Sequence, residues 1–163
     1  MTGIDPTAFR HALGSFVTGV TIVTTLRPDG EPIGLTANSF NSVSLDPPLV
    51  LWSLNRASPN LAAFEAAGYF AINILAAEQM HLSQRFARHR PDKFDGVPWQ
   101  PGIGGTPLID GVVAQFCCRH VASHDGGDHI IFIGEVEAFT HSDRRPLVFA
   151  HGRYMDMAER EPA

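Results

Sequence analysis

Cysteine is scarce in this chain: among 163 residues only Cys117 and Cys118 carry a thiol, and they are neighbours. A bridge between adjacent cysteines is strained, and one pair makes no disulfide framework. The chemistry therefore fits a reducing compartment. Positive charge is also in short supply. Twelve Lys and Arg stand against seventeen Asp and Glu, a net charge of -5, so the basic footprint of a nucleic-acid-binding domain is missing. No apolar run approaches the ~20 residues of a bilayer-spanning helix. Residues 1–16 lack the basic-then-apolar order of a secretory leader. The expectation is a cytoplasmic protein without a nucleic-acid or membrane partner.

Several catalytic signatures are missing too. There is no HExxH, no CxxC pair and no GxSxG elbow, and no Gly-rich phosphate loop precedes a helix. Gly102-Ile103-Gly104-Gly105 sits in a Pro-rich stretch with no helix behind it, so a nicotinamide cofactor would not be held by a Rossmann unit. The eight histidines show no zinc-type spacing. His120 and His124 are four apart but fall on an expected strand, and no metal is expected. Cys117 and Cys118 lie mid-strand in an apolar run, which predicts one thiol inside the fold and one on its outer face.

What is present is an ordinary globular balance, 44% hydrophobic and 18% charged, enough for one domain with its own core over residues 1–163. Asp5-Pro6 reads as an N-cap with proline at the first helical position, and Phe9, Ala12, Leu13 and Phe16 continue at helical spacing. Strands are predicted at Val20–Thr25, at about Ile33–Thr36 after the Pro28-Asp29-Gly30 turn, at Leu49–Leu54 beyond Pro47-Pro48, and at Tyr69–Leu75. Ser58-Pro59 is expected to cap and open a helix running to about Ala67, with Gly68 ending it. A third helix is predicted over Glu78–Arg88. His89–Pro107 reads as a long loop. Val112–Ser123 and His129–Thr140 form a hairpin about Asp125–Asp128, and Leu147–Ala150 and Arg153–Met155 close the chain about His151-Gly152. Seven or so strands with about three inserted helices predict a mainly β fold, an antiparallel barrel, closed or partly open, rather than a doubly wound sheet.

Two stretches could carry chemistry. Gly34–Phe40, followed by Asn41–Ser44, is dense in short side chains that both donate and accept hydrogen bonds; by composition alone a polar turn capping the barrel accounts for it. Ser53–Asn60 runs from a strand end into a helix start, where unpaired N–H groups can meet a phosphate, with Arg56, Ser58 and Asn60 as further donors. Ser58 capping its own helix is the simpler role. Asp128-His129 opens a long strand, and a histidine there is either a surface turn residue or presents a ring nitrogen to a ligand.

Taken in order, Phe16–Thr24, Gly34–Phe40, Ser42–Pro48, Phe86-Ala87, Lys93-Phe94, Gly127–Ile130, Gly134–Val136, Pro146-Leu147 and Gly152–Tyr154 resemble the short-chain flavin reductase family, the reductase components of two-component flavin monooxygenases. The match extends over roughly residues 9–156. The resemblance implies an FMN-binding split barrel and a homodimer, with NADH or NADPH reducing FMN or FAD for a partner monooxygenase. By position it implies that Thr36, Ala37, Asn38, Ser39 and Phe40 line the flavin. Ser53, Leu54 and Asn55 would offer it main chain, and Ser58 and Asn60 would hold its phosphate. Phe86 and Ala87 would edge the site, Tyr154 would lie near the flavin, and His129 would lie by the nicotinamide. Many relatives carry Ser or Thr where this chain has Asn60. The resemblance also admits reductases that retain the flavin and act on a corrinoid or quinone, and non-catalytic flavin- or haem-binding modules.

Overall fold

A computed structural model describes residues 3–158. Helix α1 (Pro6–Leu13) begins as its sequence predicts: both carboxylate oxygens of Asp5 accept main-chain N–H bonds, from Thr7 and Ala8. None of its residues is buried. After the two-residue β1 (Thr18–Gly19) come β2 (Thr21–Leu26), β3 (Pro32–Ala37), β4 (Asn41–Leu45) and β5 (Pro48–Asn55). The turn before β3 places Gly30 at φ +86°, where a side chain would be strained. Helix α2 (Leu61–Ala66), β6 (Tyr69–Ile74), a 3₁₀ turn and α3 (Met80–Phe86) follow. Then come β7 (Trp99–Pro101), β8 (Pro107–Ile109), the long β9 (Ala114–Gly126) and β10 (His129–His141), and the closing pair β11 (Val148–Ala150) and β12 (Arg153–Met155).

Seven strands form one antiparallel sheet in the order β3-β2-β6-β9-β10-β5-β4. Its two edge strands, β3 and β4, are consecutive and are joined by Asn38-Ser39-Phe40 alone. Four Cα–Cα steps reach at most about 15 Å, whereas a flat seven-stranded sheet is about 29 Å across. The sheet therefore curls until its edges meet, and the result is the antiparallel barrel expected from the strand pattern, in the split form that the resemblance implies. The barrel interior is filled around Trp52, which stacks on Phe132 at 4.8 Å and meets Phe64 and Phe70 edge-on. A second core packs α3, through Leu82 and Phe86, against Val20, Ile22 and Leu147.

The structure departs from the sequence expectations in four places. β4 was not foreseen; its residues are polar or exposed because it is an edge strand with one partner. Helix α2 starts later than expected, and Asn60, not Ser58, is its N-cap residue, so the proline at 59 precedes the helix rather than opening it. The stretch from His89 to Pro107 is not a bare loop. It contains β7, which pairs with β8, and it covers the outer face of the barrel. That cover explains the last departure: Cys118 lies in the barrel core and Cys117 on the outer face as expected, but Cys117 is buried too, beneath Gly102, where an added Cβ would stand 2.8 Å from its sulfur. Among the described residues twelve strands thus stand where seven or so were expected, the unforeseen ones being β1, β4 and the short pair β7–β8. No described helix is long and apolar enough to cross a membrane.

Candidate functional site

Alternation along β3 organises the site. Gly34, Thr36 and Asn38 share one face of the strand, and each borders a recess. Gly34 lies on a small basic recess of about 130 Å³ with Arg27, Asn60, Arg90 and Lys93 around it. Thr36 and Asn38 border a cavity of about 210 Å³ closed by Ser83, Ala87, Phe149 and Tyr154. Asn38, Ser39 and Phe40 then enter a larger cavity of about 510 Å³, whose opposite wall is Phe16, Val17 and Thr18. Three recesses thus run along one strand over about 13 Å, taken at the usual strand rise from Gly34 to Asn38.

The walls of these recesses are held by specific bonds. Thr36 donates its hydroxyl to the Ser83 carbonyl at 2.6 Å, and Ser83 Oγ lies 2.8 Å from the Tyr154 hydroxyl. Ser83, which is buried, therefore ties β3, α3 and β12 together, and the Thr36 oxygen keeps only acceptor capacity towards a ligand. Ser39 Oγ accepts from the Ser53 main-chain N–H at 2.9 Å and lies 3.2 Å from the Ser53 carbonyl. This bond pins the edge-to-edge connection to β5, and it uses up main chain of Ser53 that the resemblance assigned to the flavin. Among the described residues, the N–H groups of Asn38, Ser39 and Phe40 find no main-chain acceptor. Thr18 Oγ1, on the far wall, is buried without a partner. A polar ring edge in the large cavity would satisfy these donors.

The basic recess has the opposite character. Lys93 donates to the carbonyls of Gly34 (3.1 Å) and Phe86 (2.9 Å), which leaves one ammonium proton for a ligand. Burial holds its pKa below the ordinary lysine value. Arg27 reaches Asn60 Oδ1 at 3.2 Å, so the Asn60 side chain accepts from arginine and keeps its NH₂ as donor. Arg90 chelates Asp92, whose carboxyl is held down to about 2 chiefly by that hydrogen bond.

Not every residue implied by the resemblance lies on these walls. Thr36, Asn38, Ser39, Phe40, Ala87 and Tyr154 gather around the two cavities, and Asn60 borders the basic recess. Ala37 packs towards the barrel core and lends its carbonyl to Thr21 at 2.7 Å. Leu54 and Phe86 are buried core side chains. Asn55 caps the Ala57 N–H at 2.8 Å, and Ser58 Oγ accepts from Asn60 N–H at 3.3 Å. The Arg56 guanidinium, read from sequence as a phosphate donor, points instead to the β9–β10 hairpin tip. His129 borders none of the three recesses. It pairs with Asn55 across β5 and β10, two residues from Ser53, and its Nδ1 lies 2.7 Å from Asp128 Oδ1.

Sequence reasoning missed Ser83, Thr18, Arg27 and Arg90. Ser83 sits among apolar helix positions and carries no local signal, whereas Thr18 lay within the Phe16–Thr24 match without a role. Lys93 was visible within the Lys93-Phe94 match, although without a role.

The flavin reductase like domain model matches residues 13–158. The chain is 50% identical over 152 residues to the FMN reductase (NADH) SmoA of Agrobacterium fabrum, covering 93% of this chain and 86% of that protein. It is 42% identical over 154 residues to HsaB, the reductase subunit of a flavin-dependent monooxygenase of Mycobacterium tuberculosis, covering 93% and 82%. The NADH:FAD oxidoreductase SgcE6 of Streptomyces globisporus, solved with NAD and FAD fragments, superposes with a TM-score of 0.92 at 40% identity, covering 99% of this chain and 100% of that one. With its split barrel and its three recesses along β3, the chain belongs to the flavin reductase-like family.

Proposed function

We propose that the protein is an NADH-dependent flavin reductase that reduces FMN or FAD and supplies it to a partner flavin-dependent monooxygenase. The observation that carries this reading is the order of recesses along β3: a basic end, a middle cavity of mixed polarity and a larger cavity walled by Phe16 and Phe40. A phosphate, a polyol chain and a planar ring system have that order of chemical demands. The relatives support both flavins, since one is named for FMN and another for FAD, and both are named for NADH.

A bound flavin would supply the two-electron chemistry, accepting hydride from the reduced nicotinamide. The chain supplies the rest. Lys93 neutralises the anionic end and Asn60 orients it, with Arg27 holding Asn60 in place. The unpaired N–H groups of Asn38, Ser39 and Phe40 are fixed donors for charge that develops at a ring edge, and they need no reorganisation when it does. Ser39 keeps that connection against β5. Tyr154 and Ala87 close the middle cavity. His129, bonded through Nδ1 to Asp128, keeps Nε2 for the nicotinamide.

The active form would be a homodimer. Phe9, Leu13, Phe16 and Val17 are 52, 59, 79 and 58% exposed along α1 and the segment after it. This is one apolar face, and Phe16 and Val17 are also cavity wall. A second copy covering it would shield the flavin cavity from water.

Steady-state NADH oxidation in air, with and without added FMN or FAD, tests the reading. Turnover that requires added flavin and saturates with it is the expected result. Turnover from yellow protein without added flavin would mean a retained prosthetic group and another acceptor. No consumption of NADH under any condition would remove the reductase assignment.

A further inference from the structure

The tip of the β9–β10 hairpin is only Gly127 and Asp128, and Gly127 stands in open space at φ +71°. Such a tip has few contacts of its own, yet this one is fastened from the side. Arg56, the residue after β5, donates its main-chain N–H to the Asp128 carbonyl at 2.9 Å and its Nε–H to the Gly127 carbonyl at 2.9 Å. Its Nη2 pairs with the Asp125 carboxylate. The acceptors lie just ahead of His129, and Asp128 in turn bonds His129 Nδ1. A proton on Nδ1 held by that carboxylate leaves Nε2 as the nitrogen that faces a ligand.

We propose that Arg56 is a positioning residue: its guanidinium anchors the hairpin tip so that Asp128 and His129 present Nε2 to the nicotinamide from a fixed place. The proposal rests on the nicotinamide-facing role of His129. Arginine suits the task because its planar fork aims Nε and Nη2 at separate acceptors at once, whereas lysine supplies one point charge. Both partners of the ion pair are exposed, with side chains 44% and 87% accessible, so its stabilising effect is small. Its consequence is geometric, and misplacement of a positioning group is read in kinetics. The main-chain bond to Asp128 is kept by alanine and lysine at position 56, so the tip stays attached but loses its orientation.

Five enzymes decide it: wild type, R56A, R56K, H129A and the R56A/H129A double variant, each assayed for KM and kcat with NADH at saturating FMN, with FMN affinity measured separately by fluorescence quenching. R56A is expected to raise KM for NADH about three- to tenfold with kcat within about twofold and FMN affinity unchanged. R56K should recover part of the loss. In the H129A background R56A should add nothing, the signature of one residue acting through another. Weakened FMN binding in R56A would place Arg56 on the flavin and overturn the proposal. An equal further loss on top of H129A would overturn it too, because Arg56 would then act on the nucleotide directly. A silent R56A beside an affected H129A removes this proposal alone. A silent H129A removes the histidine assignment and this proposal with it.

Discussion

Cys118 is fully buried in the barrel core, and burial, reinforced by its neighbour Cys117, pushes its thiol up to about 12. A thiol reagent needs thiolate and access, and this site offers neither. Native protein is therefore expected to titrate with close to no thiol at pH 8 and with both once denaturant is added. Rapid labelling of native protein would contradict the burial of both residues. At the rim of the basic recess, Asp92 is held near 2 by Arg90, against about 3.9 for an unfolded aspartate. A carboxyl depressed in the folded state contributes stability that is fully present above the unfolded value and is lost as pH falls through the folded one. The pair is exposed, so the effect is small. Urea midpoints measured from pH 5 to 2 should fall less steeply below pH 4 in D92N than in wild type, and identical slopes would show that the pair does not form in solution.

Among the elements, β9 and β10 are held close by a glycine. A Cβ at Gly134 would stand 2.5 Å from Phe70 Cζ and 2.8 Å from Cys118 Cβ. Phe70 is packed in the core and Cys118 Cβ is fixed to its strand, so neither can yield cheaply. Gly134→Ala is expected to cost about 1–3 kcal/mol by overpacking, whereas Gly68→Ala, with nothing within 4 Å, should be neutral or stabilising by up to about 1 kcal/mol. Equal denaturation midpoints for the two variants would contradict this packing. The same contrast marks what a sequence reading reaches. α1 was legible because an N-cap carboxylate and a proline act within one turn. β4 was not, because an edge strand is stabilised by its neighbour rather than by its own residues. Nor was the start of α2, where Ser58 and Asn60 are equally good cap residues by type and Asn60 takes the position while its side chain bonds Arg27. The 89–107 stretch was read as loop because its prolines and glycines hide a three-residue strand that exists only by pairing with β8.

At the scale of the whole molecule, α1 and the segment after it leave Phe9, Leu13, Phe16 and Val17 exposed. If a second copy covers them, sedimentation equilibrium should return about twice the 17.7 kDa of the chain. F9D/L13D should then sediment as monomer and bind flavin more weakly, because the cavity wall formed by Phe16 and Val17 loses its cover. A wild-type monomer at assay concentrations would remove the dimer proposal.

By itself the sequence determined the mainly β character, the hairpins and the first helix. It also placed the polar residues from Thr36 to Phe40 and, through an ordered set of short matches, the family. These follow from local rules: side-chain period, turn chemistry and caps act over a few residues. The tertiary structure decided that Asn38-Ser39-Phe40 would join the two edges of one curled sheet, and so become cavity wall rather than surface turn. It also brought Ser83 between Thr36 and Tyr154, gathered Arg27, Arg90 and Lys93 around Asn60, and turned Arg56 away from the basic recess and onto the hairpin tip. Each of those contacts joins residues far apart in the chain, and only closure of the barrel brings such residues within bonding distance.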